Sequence, residues 1–288
     1  MRDCYDIMQF LEYLLHDTSA NMWSDVKRLM AINAAYEQIC NRVIEAHEQW
    51  FYKTATLTAG TTSFDATPFD FPSAPAGLNK ILLVTDSNGD PLQPMALQQK
   101  EYGYAPGAST DRVRSVNIGY WLDHDKLWVN SDSWTSDLRL YYIRKPARMQ
   151  YGTAEAGTDT SMTLDADTRP EIVDDYYNDV AFTIREGTGA GLEATASDYV
   201  GSTRVLTIDF ASTPSTDSVY SSVSELPDGH NEIVAFGAAI RALMYDVAQQ
   251  PKLQEMKNWY MKLEFDLIDY LQNRQIQSSR PVNMTNLD

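Results

Sequence analysis

Leu253-Gln254-Glu255-Met256-Lys257-Asn258-Trp259-Tyr260-Met261-Lys262-Leu263-Glu264-Phe265-Asp266-Leu267-Ile268-Asp269-Tyr270 places Leu253, Met256, Tyr260, Leu263, Leu267 and Tyr270 at alternating spacings of three and four. That is an a/d heptad, which predicts a helix with one face that must be covered. Pro251 marks where this helix begins and the preceding one ends. Upstream, Ile233 to Val247 is apolar nearly all round, and Ala235, Gly237, Ala238, Ala239 and Ala242 permit close approach. Such a helix belongs between other helices. Leu226-Pro227-Asp228 opens the block.

The covering partner is expected from the other end of the chain. From Ser24, an N-cap residue type, to Trp50, the residues Val26, Leu29, Met30, Ile39, Cys40, Val43, Ile44 and Trp50 lie mostly on one stripe. At 1.5 Å per residue that helix is about 40 Å long. Ile7, Met8, Phe10, Leu11, Leu14 and Leu15 predict a shorter amphipathic helix ending near Asp17, with a turn over Thr18 to Met22. Leu29, Ile39, Val43, Leu253, Met256, Leu263 and Leu267 are the expected packing residues. Asn33, near the stripe, reads as a register-setting or satisfied polar contact and not as a ligand.

Between these blocks the period changes to two. Strands are expected from Tyr52 to Thr58 and at Lys80–Thr85, Asn117–Leu122, Lys126–Asn130 and Leu138–Ile143, with a turn at Asp86-Ser87-Asn88-Gly89-Asp90. Residues 151–160 read as a linker. A second β region follows from Met162 to about Val223, with strands at Tyr177–Arg185 and Thr203–Phe210 and flexible loops at Thr188–Ala196 and Ser212–Ser222. The expected fold is α+β: a helical bundle stem of residues 1–50 and 225–276, an antiparallel β region at 51–150, an acidic β insertion at 151–224 and a flexible tail at 277–288.

Charge narrows the function. The chain has 23 basic and 40 acidic residues, net −17. Residues 151–230 hold 3 basic and 15 acidic ones, so they alone contribute −12. Such a surface repels phosphate, which argues against tight duplex binding through a basic footprint. Asp174, Asp175 and Asp179 belong to this stretch, which reads as a solvated face or as a surface that stays near DNA without sticking to it. Two cysteines, Cys4 and Cys40, make no disulfide framework and suit a reducing compartment. Asp3, Asp6 and Glu12 interrupt any signal-peptide core, and Ile233 to Ile240 is too short to span a bilayer.

The chemical motifs are weak. Gly187-Thr188-Gly189-Ala190-Gly191 lacks the sixth glycine of a dinucleotide loop and the lysine of a phosphate loop, so it reads as a hairpin loop. His16, His47, His124 and His230 are scattered. Asp165-Ala166-Asp167 starts like a calcium loop, but Pro170 and Tyr176 occupy the glycine and glutamate positions. Asp174 and Asp175, read as neighbours on a strand, would point to opposite faces and could not flank one bond. Trp121, Trp128 and Trp134 with Tyr102, Tyr104, Tyr120, Tyr141 and Tyr142 make the middle sheet aromatic; core packing explains them, and a sugar platform is the alternative. No Gly-x-Ser-x-Gly elbow is present. No catalytic residue, cofactor or metal is expected.

The layout resembles the head-to-tail adaptor (connector) proteins of tailed bacteriophages. The matching features are the helical opening Leu29-Met30-Ala31-Ile32-Asn33-Ala34-Ala35-Tyr36 to Trp50, then Thr56-Leu57-Thr58-Ala59-Gly60-Thr61-Thr62-Ser63-Phe64-Asp65 and Pro68-Phe69-Asp70-Phe71-Pro72. Leu140-Tyr141-Tyr142-Ile143-Arg144-Lys145-Pro146 closes the sheet, and Leu226-Pro227-Asp228-Gly229-His230-Asn231-Glu232-Ile233-Val234 leads into the last helices. Together they cover roughly residues 22–150 and 225–275; the 151–224 stretch departs from the simplest members. The resemblance implies a non-enzymatic virion protein of the neck, assembled in the host cytoplasm. It would form a dodecameric ring of its own copies under the portal protein and extend the DNA channel without binding DNA specifically or meeting a membrane. It would also offer a platform to tail, stopper or nozzle proteins. The family's tails reach the portal, which here points to Arg274, Gln275, Arg280 and Pro281. The alternative is another tail or decoration protein whose β insertion binds a glycan or host surface.

Overall fold

The computed structural model describes residues 2–16, 23–58, 69–70, 78–95, 119–123, 126–129, 136–244 and 250–278. It is α+β. In chain order the helices are α1 (Cys4–Leu15), α2 (Asp25–Ala46), α3 (Glu232–Leu243) and α4 (Gln250–Ser278). The first strands are β1 (Tyr52–Leu57), β2 (Phe69–Asp70), β3 (Leu78–Thr85), β4 (Gln93–Pro94), β5 (Gly119–Asp123), β6 (Lys126–Val129) and β7 (Leu138–Arg144). Then come β8 (Tyr151–Thr153), β9 (Ala156–Gly157), β10 (Ser161–Thr163), β11 (Ala181–Glu186), β12 (Glu193–Val200), β13 (Val205–Ile208) and β14 (Val219–Ser222). The described residues fall into two compact units, one of Met1–Trp50 and Pro146–Asp288, the other of Phe51–Ser73 and Gly77–Lys145. The acidic 151–224 segment therefore groups with the helices, where the sequence reading set it apart.

In the first unit α1 starts at Asp3, whose carboxylate accepts a hydrogen bond from the Asp6 amide, and stops at His16 in a left-handed conformation. Ser24 sits at the N-cap of α2 with extended backbone, but its hydroxyl makes no capping bond; its carbonyl accepts from Arg28 N. α2 ends at Ala46, so it spans 22 residues and about 33 Å rather than reaching Trp50. His47 leaves helical geometry, and the turn it starts brings the Trp50 indole N–H to the Glu225 carbonyl at 3.0 Å. α3 touches each of the other three helices, and its Ile233–Ala239 run is buried throughout. A Cβ at Gly237 would press Ala35 and Tyr260, which is why a small residue stands there.

The 151–160 stretch is not a linker. β8 pairs with β14 and β9 pairs with β10, at the two ends of the order β8-β14-β11-β12-β13-β10-β9. β8 and β9 are successive pieces of one extended stretch: Ala154 N donates to Ser218 O, and Glu155 N donates to Thr163 O. The two ends of the sheet thus meet, and the curled sheet leaves no long free edge. Its interior holds Met162, Leu164, Tyr177, Phe182, Ala196, Tyr199, Leu206 and Tyr220, all fully buried. Small residues at Gly152, Ala154, Ala156 and Gly157 hid these strands, because bulky residues that mark a strand are sparse there.

Two further expectations change. Tyr177 to Asp179 is turn, with the strand beginning at Ala181, and β12 takes up Glu193–Ala196 from the expected loop. The glycine loop is ordered: Gly187, Gly189 and Gly191 have positive φ, Thr188 N donates to Asp217 Oδ1, and Ser218 Oγ donates to Thr188 O. A Cβ on Gly187 would overlap the Asp217 carbonyl, whereas one on Gly191 meets nothing. Gly187→Ala is therefore expected to cost about 2–3 kcal/mol and Gly191→Ala about 1 kcal/mol, read as urea midpoints. Equal losses would place the strain in the backbone angles alone.

In the second unit β7 lies between β1 and β3, all antiparallel. A separate sheet runs β2-β6-β5-β4, parallel only between β4 and β5. Val84, Leu127, Leu138 and Leu140 form a fully buried core. The expected turn is present: the amides of Asn88 and Asp90 both donate to Asp86 Oδ1, and Gly89 has φ +94°. Those bonds hold the Asp86 carboxyl below the usual carboxylate range.

Candidate interaction surfaces

The helix-packing residues are placed as follows. Leu29, Ile39, Val43, Leu253, Met256 and Leu267 are buried, and Leu263 is half-buried. At the far end of α4 the stripe drifts. Leu271 is fully buried while Tyr270 is 38% exposed, because a 3.6-residue turn walks away from a 3.5-residue repeat. Asn33 is satisfied: its Nδ2 donates to Met149 O at 3.0 Å and its Oδ1 accepts from Met149 N at 2.7 Å, tying α2 to the stretch that leads into β8.

A charged clasp holds the first residues of the chain. Arg185 Nε donates to Asp3 Oδ2 at 2.5 Å and Arg185 Nη2 pairs with Asp6 at 2.8 Å. Arg2 forks onto Glu193, and the Tyr5 hydroxyl donates to Glu186. Asp3 also bridges Val223, and Ser224 N donates to Arg2 O. Single acids and arginines far apart in sequence carried no pattern that could have found this clasp. Beside it, Arg28 is buried against Glu12 and Asp25.

Outward-facing apolar residues were also missed. Tyr13, Trp259, Met261 and Phe265 are exposed, Phe265 to 71%. Met261, Phe265 and Ile268 recur at four and three residues, a second stripe that the heptad reading passed over. Rings run from Tyr13 to Phe10 to Phe236 to Trp259 at centroid distances of 5.8–6.4 Å, across α1, α3 and α4.

Asp174, Asp175 and Asp179 come together on one turn, not a strand. Asp174 Oδ1 accepts from Gly201 N at 2.8 Å, Asp175 Oδ1 accepts from Asn178 Nδ2, and the amides of Asp175 and Asp179 donate to Tyr199 O and Ala196 O. Asp175 and Asp179 have φ of 63° and 65°, a conformation aspartate tolerates better than most residues. All three thus have a local reason to be aspartate.

At the C-terminal end, Arg274 stacks over Trp50 and Tyr270 and donates to the Tyr270 hydroxyl at 3.1 Å. His230 also packs on Tyr270, with ring centroids 5.0 Å apart. α4 continues to Ser278, so Gln275 and the first residues of the expected tail are helical. Arg280 and Pro281 lie outside the described residues, as do Trp134, Tyr102 and Tyr104.

The buried thiol of Cys4 and the buried phenols of the curled sheet are held protonated. Burial pushes the Cys4 thiol and the Tyr177 and Tyr220 hydroxyls up, and Tyr199 is pushed up to about 12. The hydroxyls act as hydrogen-bond partners inside the curled sheet: Gln150 Nε2 donates to Tyr177 at 2.8 Å, and Asp165 N donates to Tyr220 at 3.0 Å. Among the described residues no group of three or more His, Cys, Asp or Glu could hold a metal ion, and no helix is long and apolar enough to cross a membrane. No protein-family model and no curated protein sequence matches the chain.

Proposed function

We propose that this chain is a head-to-tail adaptor of a tailed bacteriophage, a non-enzymatic ring component between portal and tail in the virion neck. The observation that carries the reading is the packing of helices from both ends of the chain around α3, with apolar side chains left outward on α4. In this proposal the four helices form the bundle stem. Trp259, Met261 and Phe265 meet neighbouring copies in a dodecameric ring, since exposed apolar surface of this kind marks contact sites. The end of the chain from Arg274 onward meets the portal. DNA passes through the ring, and the acidic residues offer no fixed cations to trap phosphate.

Cosedimentation with the portal ring of the same phage tests the reading. The chain should travel with the portal at a stoichiometry set by the ring, and failure to do so under assembly conditions overturns it. The channel placement has its own test. Asp174→Asn, Asp175→Asn and Asp179→Asn together remove three charges while keeping side chains that tolerate the turn. Slower DNA ejection is expected if the turn lines the channel; an unchanged rate moves it to the outer rim. A glycan-binding decoration protein is the second reading, motivated by the stacked Tyr52 and Tyr141 rings, with Tyr52 41% exposed. Binding of the full chain on a glycan array, without portal association, would favour it.

A further inference from the structure

Ile172 is the most exposed large apolar residue among those described, at 81%, with Val173 beside it at 48% and Val200 at 38%. An isolated exposed aliphatic residue needs no explanation. This one sits on a segment that is fixed from every side. Glu171 O accepts from the Tyr199 hydroxyl at 2.6 Å, and Glu171 N donates to the Tyr177 hydroxyl at 3.4 Å. The Glu171 carboxylate pairs with Arg148, and Asp174 holds Gly201 N. The Ile172 carbonyl and Val173 amide lie so close over Gly201 that a Cβ there would overlap them. Tyr177 and Tyr199 are themselves core residues of the curled sheet. The segment is thus preorganised, and what it presents to water is a branched aliphatic knob. Rigid apolar anchors lose little conformational entropy on docking, which is the property of a binding hot spot.

The charge around the knob says what it fits. Glu171, Asp174, Asp175, Asp179 and Asp198 lie on the same segment or on the adjoining β12, within a stretch holding 15 acidic and 3 basic residues. Arg148 and Arg204 are bound to Glu171 and Glu155, so Arg169 is the exposed cation set against the five acids of this segment and β12. A second copy of this chain, at net −17 with the same acidic face, does not complement it. We infer that Ile172 and Val173 form a knob that seats in an apolar socket rimmed by lysine and arginine on a tail-side protein. This inference rests on the adaptor reading, takes the turn of Asp174, Asp175 and Asp179 as lying on the rim and not in the channel, and locates the tail-facing contact.

The test uses DNA-filled heads that carry the portal but lack this chain, supplied with purified full-length chain and then with tails. Wild type should give a portal collar and joined tails. Ile172→Ser, with unchanged melting, should give the same collar but tail joining weaker by about tenfold to a hundredfold, as loss of one buried aliphatic anchor implies. Joining should also fall with added salt and with Asp198→Lys. Tail joining by Ile172→Ser at the wild-type level overturns the inference. A missing collar for Ile172→Ser alone overturns it too, by assigning the knob to the ring or portal. A salt-insensitive joining step that ignores Asp198→Lys overturns the basic rim. No collar even with wild type overturns the adaptor reading, and the inference with it.

Discussion

Leu267→Asp unfolds the helices, while Met261→Asp on the same helix leaves the isolated chain's melting nearly unchanged. Leu267 is 1% exposed and Met261 57% exposed on the same helix. Aspartate at 267 removes a buried leucine and leaves an unpaired carboxylate in its place. The lost packing alone is worth about 2–5 kcal/mol, and the charge adds to it or forces local opening. A loss of about 4 kcal/mol or more is the expected result, read by urea unfolding followed on helical circular dichroism. Leu263→Asp should cost less, because Leu263 is half-buried and its carboxylate can reach water. Similar losses at 261 and 267 would mean that α4 buries a different face.

Glu12→Leu destabilises the protein by about 3 kcal/mol, and Arg28→Met costs clearly less. Arg28 is 1% exposed; its partners Glu12 and Asp25 are 20% and 55% exposed. Removing Glu12 takes from the buried guanidinium the closer of its two described carboxylates; the other, Asp25 at 3.3 Å, is largely in water and screened. Removing Arg28 instead leaves the acids partly solvated and fills the site with an apolar chain of similar length. A buried ion pair is often replaceable as a unit but not by halves. The urea midpoints of the two variants decide it. The opposite ordering would show that Arg28 contributes more than it costs to bury.

Much of the helical part was legible because its signal is periodic. Leu253, Met256, Leu263 and Leu267 announce a covered face, and the apolar Ile233–Ala239 run announces a helix that other helices surround. Boundaries were less legible. Nothing in the residue types of His47 to Trp50 says that the helix stops at Ala46; the stop depends on Trp50 reaching Glu225, far along the chain. The curled sheet was read only in part for a related reason. The β8–β9 stretch carries Gly152, Ala154, Ala156 and Gly157, small residues that look like a linker until the partners on β14 and β10 are known. Close approach explains the glycines, since a Cβ on Gly157 would overlap the Pro214 carbonyl. The acidic candidates were found by charge count, but their shared turn was not, because positive φ at Asp175 and Asp179 is a tertiary outcome. Phe265 sits on a second helical stripe with Met261 and Ile268 that competes with the heptad, whereas Ile172 carries no sequence mark that separates it from core residues.

Negative-stain electron microscopy of the purified chain mixed with the portal ring of the same phage tests the central claim most directly. The adaptor reading predicts a new collar at one end of the portal, with the twelvefold symmetry of the ring beneath it. A bare portal beside unassociated chain would contradict the reading.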